Sequence, residues 1–269
     1  MLFFMYEGRI FESKSLTLRR QNIFHTDMKN HIFIALALIA LLLCNVQKAH
    51  ATTDQEPSKI EAGTTVTEQR IKSTGIGKWF TASEIPTEVM ERMKGKSYPK
   101  NCTVKPGELR YLRVLHHTFD GKIKVGEMVC NRRIATTLIS IFRQLYNANY
   151  PIERMVLIDN YGANDETSMT ANNTTCFCFR PVAGSKKLSN HSRGMAVDIN
   201  PLYNPCIRTR NGKTIIQPKT GKDYTNRTKK FNGKIDRNDL CYKLFTQHGF
   251  TWGGSWKTLK DYQHFEKNN

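Results

Sequence analysis

The sequence predicts an α+β fold. Three observations carry this reading: a strand–turn–strand run over residues 109–130, two amphipathic helical stretches at 133–147 and 236–248, and no strand–helix–strand alternation of the kind that builds a parallel sheet.

The elements follow in order. Residues 52–78 are polar and rich in Thr, Glu, Lys and Gly, and read as a linker ahead of a folded domain over 79–269. Residues 86–94 form a short helix, because Ile85, Val89 and Met93 recur at four-residue steps and Gly95 follows as a stop. Residues 109–119 are β-branched and aromatic, Asp120-Gly121 is a turn, and 122–130 returns as a second strand. His116 and His117 lie on this hairpin at no metal spacing and read as structural. In 133–147, Ile134, Leu138, Ile141, Phe142 and Leu145 make one apolar stripe that faces a core.

A strand is expected over 151–160, a polar loop over 161–173, and a strand over 174–180 with Cys176, Cys178 and Arg180 on one face. Residues 202–235 are a long basic loop, over a cleft or simply solvated. The helix at 236–248 points Leu240, Leu244 and Phe245 inward and ends at Gly249, and 250–266 returns as strand and turn.

The first 51 residues read as an export signal: Lys29 and His31 in a basic start, an apolar run at 32–46, and Ala49-His50-Ala51 as the cleavage site. The run is short for a membrane span. Met28 is an alternative start, and lipidation at Cys44 is the disfavoured rival, since Leu43 is a poor residue to precede a lipidated Cys. The chain carries a formal charge of +18; residues 1–51 hold six Lys/Arg and three Asp/Glu, which leaves +15 after cleavage. In an exported protein that charge points to anionic envelope polymers rather than nucleic acid. Six cysteines then remain (Cys102, Cys130, Cys176, Cys178, Cys206, Cys241), and an oxidising compartment predicts disulfides among them, with fifteen full pairings open. A metal pair at Cys176-x-Cys178 is the less favoured alternative, since no second pair has matching spacing.

The chemistry-bearing stretch is Ser189-Asn190-His191-Ser192-Arg193-Gly194-Met195-Ala196-Val197-Asp198, read together with Asp261-Tyr262-Gln263-His264-Phe265-Glu266. These supply two imidazoles, a carboxylate for the same ion, and a second carboxylate three residues before the last His. Catalytic zinc needs such a kit: three N/O ligands, an open position and a base beside it.

Ser-x-His-x-x-Gly-x-Ala-x-Asp, followed by Trp252-Gly253-Gly254-x-Trp256 and Asp261-Tyr262-x-His264-Phe265-Glu266, resembles the M15 zinc peptidases. The similar branch holds VanY-like D-alanyl-D-alanine carboxypeptidases and L-alanyl-D-glutamate endopeptidases, and the likeness runs over about 107–266. It implies a mostly antiparallel sheet with packed helices, the hedgehog/DD-peptidase-like fold. It also implies Zn2+ held by His191, Asp198 and His264, with Asp261 as base and Arg180 on the scissile carbonyl or substrate carboxylate. Ser189 and Glu266 would support the ligands from behind. Trp252 and Trp256 either wall the cleft or pack, with packing favoured. The expected substrate is a peptidoglycan stem peptide; the rival is a non-catalytic, metal-containing wall-binding module on the same fold. Asp261 and His264 cannot share a face of one straight strand, so a bend between them is required. Ser255 and Gln263 depart from the family's usual Asp and Pro, which bears on substrate preference rather than on the ligands.

Overall fold

Antiparallel pairing dominates the structure, a computed structural model that describes residues 55–182 and 185–268. Residues 56–269 form one compact unit. The expected signal over 1–51, with Met28 and Cys44, lies outside the described residues. Among those residues no helix is long and apolar enough to cross a membrane.

The elements are β1 (Thr65–Val66), α1 (Glu68–Thr74), β2 (Thr81–Ser83), α2 (Thr87–Met93), β3 (Leu109–His117), β4 (Ile123–Asn131), α3 (Arg132–Asn147), α4 (Asp165–Thr170), β5 (Ala196–Asp198), β6 (Cys206–Arg210), β7 (Lys213–Gln217), α5 (Leu240–Gln247), β8 (Thr251–Trp252), β9 (Lys260–Asp261) and β10 (His264–Glu266). Several 3-10 turns join them. Three sheets result, ordered β1-β4-β3-β2, β5-β10-β8 and β7-β6-β9.

The largest sheet is built on the β3–β4 hairpin, in register from Leu109↔Asn131 to His117↔Ile123. Side chains alternate across a strand, and over 109–114 and 128–130 the two faces enter different clusters, while Leu115, Ile123 and Val125 join the first from the other face. Leu112, Val114, Met128 and Cys130 join the stripe of α3, Ile134, Leu138, Ile141, Phe142 and Leu145, in one core. Leu109, Tyr111 and Val129 meet Val89 and Met93 of α2, with Leu157 and Phe177, in a second. Glu127 is buried on that second face, and its charge is balanced: Arg92 grips it through two bonds of 2.9 and 2.6 Å, and Tyr111 Oη donates at 2.7 Å. A buried carboxylate is tolerable only with such partners.

Four expectations need correction. Residues 56–78 are no linker: Ile60, Val66 and Ile71 enter the main core, and Val66 pairs with Ile123. Those three apolar residues, scattered through a polar stretch, anchor it. The strand expected at 151–160 is reduced to isolated bridges at Pro151 and Arg154 and a 3-10 turn at Ile158–Tyr161. Asparagine side chains take its backbone amides, Glu153 N donating to Asn200 Oδ1 and Val156 N to Asn173 Oδ1, and so replace a ladder. The stretch 174–180 is extended but belongs to no sheet, since its amides donate to several separate segments: Thr175 to Asp198, Phe177 to Val129, Cys178 to His191 and Phe179 to Ser97. The long loop at 202–235 contains the β6–β7 hairpin, whose first strand also pairs with β9.

The helix expected from 236 begins at Leu240, because the Asp239 carboxylate accepts from the Cys241 and Tyr242 amides as its N-cap. The expected disulfides are also absent: all six cysteines described are free thiols. Five are buried and behave as small apolar side chains; Cys130, Cys176 and Cys241 lie within the main core.

Candidate active site

The loop that carries His191 is a 3-10 turn, Asn190–Arg193, closed at both ends by local chemistry. Ser189 Oγ accepts from the His191 amide at its start. Gly194 ends it in the left-handed region, at φ 66°, where a Cβ would lie 2.6 Å from the Asn131 nitrogen. Glycine is therefore required twice over, for conformation and for space. The chain then enters β5, which ends at Asp198.

On β10, His264 sits directly opposite Asp198 in the antiparallel register. Directly opposed residues share a face of the sheet. Folding the 3-10 turn back over that face brings His191 in as the third member. The donor atoms converge: His191 Nε2 is 3.2 Å from His264 Nδ1, His264 Nδ1 is 3.0 Å from Asp198 Oδ1, and His191 Nε2 is 3.2 Å from Asp198 Oδ2. Bonds of roughly 2.0–2.1 Å around a tetrahedral zinc place its ligands roughly 3.3 Å apart. The two imidazoles and one carboxylate fit that requirement in type and spacing, and they form the one such cluster among the described residues.

Each imidazole is oriented from behind. His191 Nδ1 donates to the Cys176 carbonyl at 2.6 Å, and His264 Nε2 faces Glu266 Oε2 at 3.1 Å. Glu266 is itself steadied by Asn190 Nδ2 at 2.6 Å. Glu266 thus lies behind His264. Ser189 caps the turn, and a backbone carbonyl rather than its hydroxyl meets His191 Nδ1.

Electrostatics describe a pocket built for positive charge. Burial alone would raise the Asp198 carboxyl, but the facing His191 and His264 hold it far below the usual carboxylate range. Burial alone would lower His264, but its bonds to Asp198 and Glu266 push it up to about 10. Hydrogen bonding to His264 also lowers Glu266. A proton here occupies the place a cation would take.

Asp261 ends β9, and Tyr262 and Gln263 make the bend that the sequence required before His264. Gly253 permits this close turn, since a Cβ there would fall 2.6 Å from the Asp261 carbonyl oxygen and 2.9 Å from its Cβ. Burial pushes the Asp261 carboxyl up to about 6, with Asp198 adding to the rise and the two imidazoles opposing it. Its Oδ1 is buried and has no hydrogen-bond partner.

Asp261, the His-Asp-His cluster and Arg180 all line one cavity of about 580 Å³. Arg180, expected to meet substrate with its charge, also forms an ion pair with Asp165, Nε to Oδ2 at 2.5 Å. Asp165 opens α4, far from either motif, and nothing in the sequence marks it. The two tryptophans part company. Trp252 packs on Tyr242 and Tyr262 and donates to the Tyr262 carbonyl, whereas Trp256 lines the cavity with its ring 5.2 Å from that of His264. Cys206 also reaches the cavity, through the β6–β9 pairing that the loop reading missed.

Residues 183–267 match a family model of the M15 peptidases described as D-alanyl-D-alanine carboxypeptidase. The match contains every residue of the His-Asp-His cluster, Asp261 and Glu266, and ends short of Arg180 and Asp165. No solved structure matches the chain.

Proposed function

Starting from the M15 peptidase family, to which the matched segment assigns this chain, we propose that the protein is an exported zinc peptidase. It hydrolyses an amide bond in peptidoglycan stem peptides, as a D-Ala-D-Ala carboxypeptidase or an L-Ala-D-Glu endopeptidase. One observation carries the reading: a buried His-Asp-His cluster and Asp261, one of whose oxygens has no hydrogen-bond partner, line the same cavity.

His191, Asp198 and His264 would hold the ion. Zinc held there would supply a Lewis acid and lower the pKa of water toward about 7. The chain's own residues do the rest. The Asp261 carboxylate accepts a proton and returns it to the departing amine; a carboxyl raised toward 6 suits both halves of that task. Arg180 lies in reach of a bound peptide's oxygens, and Asp165 fixes its direction while sharing its charge. Trp256 covers one side of His264 and limits water there. Exposed Lys213, Lys219 and Lys222, on and beside the β6–β7 hairpin, offer contacts to anionic envelope polymers.

The test is to incubate the protein with a D-Ala-D-Ala-ended pentapeptide and with defined muropeptides, with and without chelator, and to identify products by mass spectrometry. Loss of terminal D-Ala supports the carboxypeptidase form, and cleavage after L-Ala the endopeptidase form. No chelator-sensitive product from either substrate would leave the wall-binding module as the better reading.

A further inference from the structure

The β6–β9 pairing places a thiol against the proposed base. Cys206 and Asp261 are directly opposed in the antiparallel register, and both line the cavity. Opposed residues in such a pair hold their Cβ atoms roughly 4.5–5.5 Å apart, which is hydrogen-bonding reach for a thiol and a carboxylate. Directly opposed residues share a face of the pairing, so the thiol and the carboxylate project to the same side. The Asp261 carboxylate carries a buried oxygen with no hydrogen-bond partner. Gly253 packs close against the Asp261 carbonyl oxygen and Cβ.

On the reading of Asp261 as proton carrier, we propose that Cys206 is a positioning residue for that carboxylate. Its thiol engages one carboxylate oxygen, fixes the plane of the group, and leaves the other oxygen to exchange the proton. A carboxylate on an unrestrained final torsion samples a broad, two-fold range and presents either oxygen. The thiol removes that freedom. Burial, reinforced by the neighbouring Asp261, drives the Cys206 thiol far above its usual range, so it stays protonated and acts as donor rather than nucleophile. The thiol is a weak donor, so its effect is smaller than that of the base itself.

The experiment compares Cys206→Ser, Cys206→Ala and Asp261→Asn with the parent protein. It reads kcat and KM on the pentapeptide or muropeptide that the parent cleaves, bound zinc, and the Raman S–H stretch of Cys206 isolated by subtracting the Cys206→Ser spectrum. Cys206→Ala lowers kcat about tenfold, the size of one modest hydrogen bond, with KM and zinc unchanged. Cys206→Ser keeps a donor and stays within about twofold of the parent. The S–H band moves to higher frequency when Asp261→Asn weakens the acceptor. Parental kcat in Cys206→Ala, equal losses in Ala and Ser, or an S–H band indifferent to Asp261→Asn each overturns the proposal. If Asp261→Asn keeps full activity, the base assignment itself fails; if it is inactive while Cys206→Ala is not, only the role of Cys206 fails. Should Cys206→Ala misfold by circular dichroism, the Raman shift decides alone.

Discussion

The β3–β4 hairpin with α3 and the region around His191, Asp198, Asp261 and His264 are built on opposite plans. In the first, nine-residue strands and a sixteen-residue helix bury continuous apolar stripes. In the second, strands of two or three residues are joined by turns, and side chains satisfy the backbone. Burial stabilises the first about 25 cal/mol for each Å² of apolar surface removed from water. The second buries His191, His264, Ser189, Asn200 and Gln263, which return little unless every polar atom is matched. The comparison teaches that the scaffold supplies stability, and that the site draws on it to hold polar groups at close range.

Substitutions should separate the two regions. The largest effect is expected from Asp261→Asn, which removes a proton carrier and should lower kcat by about 10²–10⁴-fold, while zinc content measured by atomic absorption stays near parental. Leu138→Ala, on the scaffold side, should cost about 2–5 kcal/mol of stability in urea unfolding, yet leave kcat per folded molecule unchanged. Leu138 is fully buried in the stripe against β3, so the loss is one of packing alone. A fall in kcat per folded molecule comparable to that of Asp261→Asn would break the division. Glu266→Gln should weaken zinc affinity by about 10–100-fold through its loosened grip on His264, measured by competition with a chromogenic chelator.

The smallest effect, and the sharpest on charge, concerns pH. The metal-free protein keeps a proton on His264 up to about 10, above the roughly 6.5 of an unfolded histidine. The stabilisation it gives the metal-free fold is therefore complete below about 6.5 and lost as pH rises through 10. Zinc must displace that proton, so apparent affinity should rise by about tenfold per pH unit between pH 6 and 8. Calorimetry in buffers of different ionisation enthalpy reads the released proton directly. An affinity flat across that range would mean that His264 is already neutral in the metal-free protein.

Legibility follows the same divide. The hairpin, α2 and α3 could be read because periodicity repeats over enough residues to exceed chance, as in Ile134, Leu138, Ile141, Phe142 and Leu145. The cluster could be read for another reason: the resemblance to M15 motifs pointed to His191, Asp198 and His264 without any knowledge of the strands that bring them together. What could not be read depends on partners far away in the chain. Residues 151–160 read as a strand, but nothing local says that Asn200 and Asn173 will take the Glu153 and Val156 amides. The three core residues of 56–78 are too sparse to make a pattern. Arg180 was visible and Asp165 was not, so its charge was expected to be available when it is shared. The cysteines were counted as cross-links because number and compartment suggested it, whereas burial gave each of them a separate place.

Asn131 ties the two plans together. Its side-chain oxygen accepts from the Arg133 amide at the head of α3, its side-chain nitrogen donates to the Arg193 carbonyl, and its own amide donates to the Gly194 carbonyl. The head of the long helix and the turn bearing the first imidazole therefore share one clasp and cannot let go independently. On warming, release of the ion and melting of the helix should fall at one temperature, so that a segment with almost no regular structure inherits the all-or-none character of its neighbour.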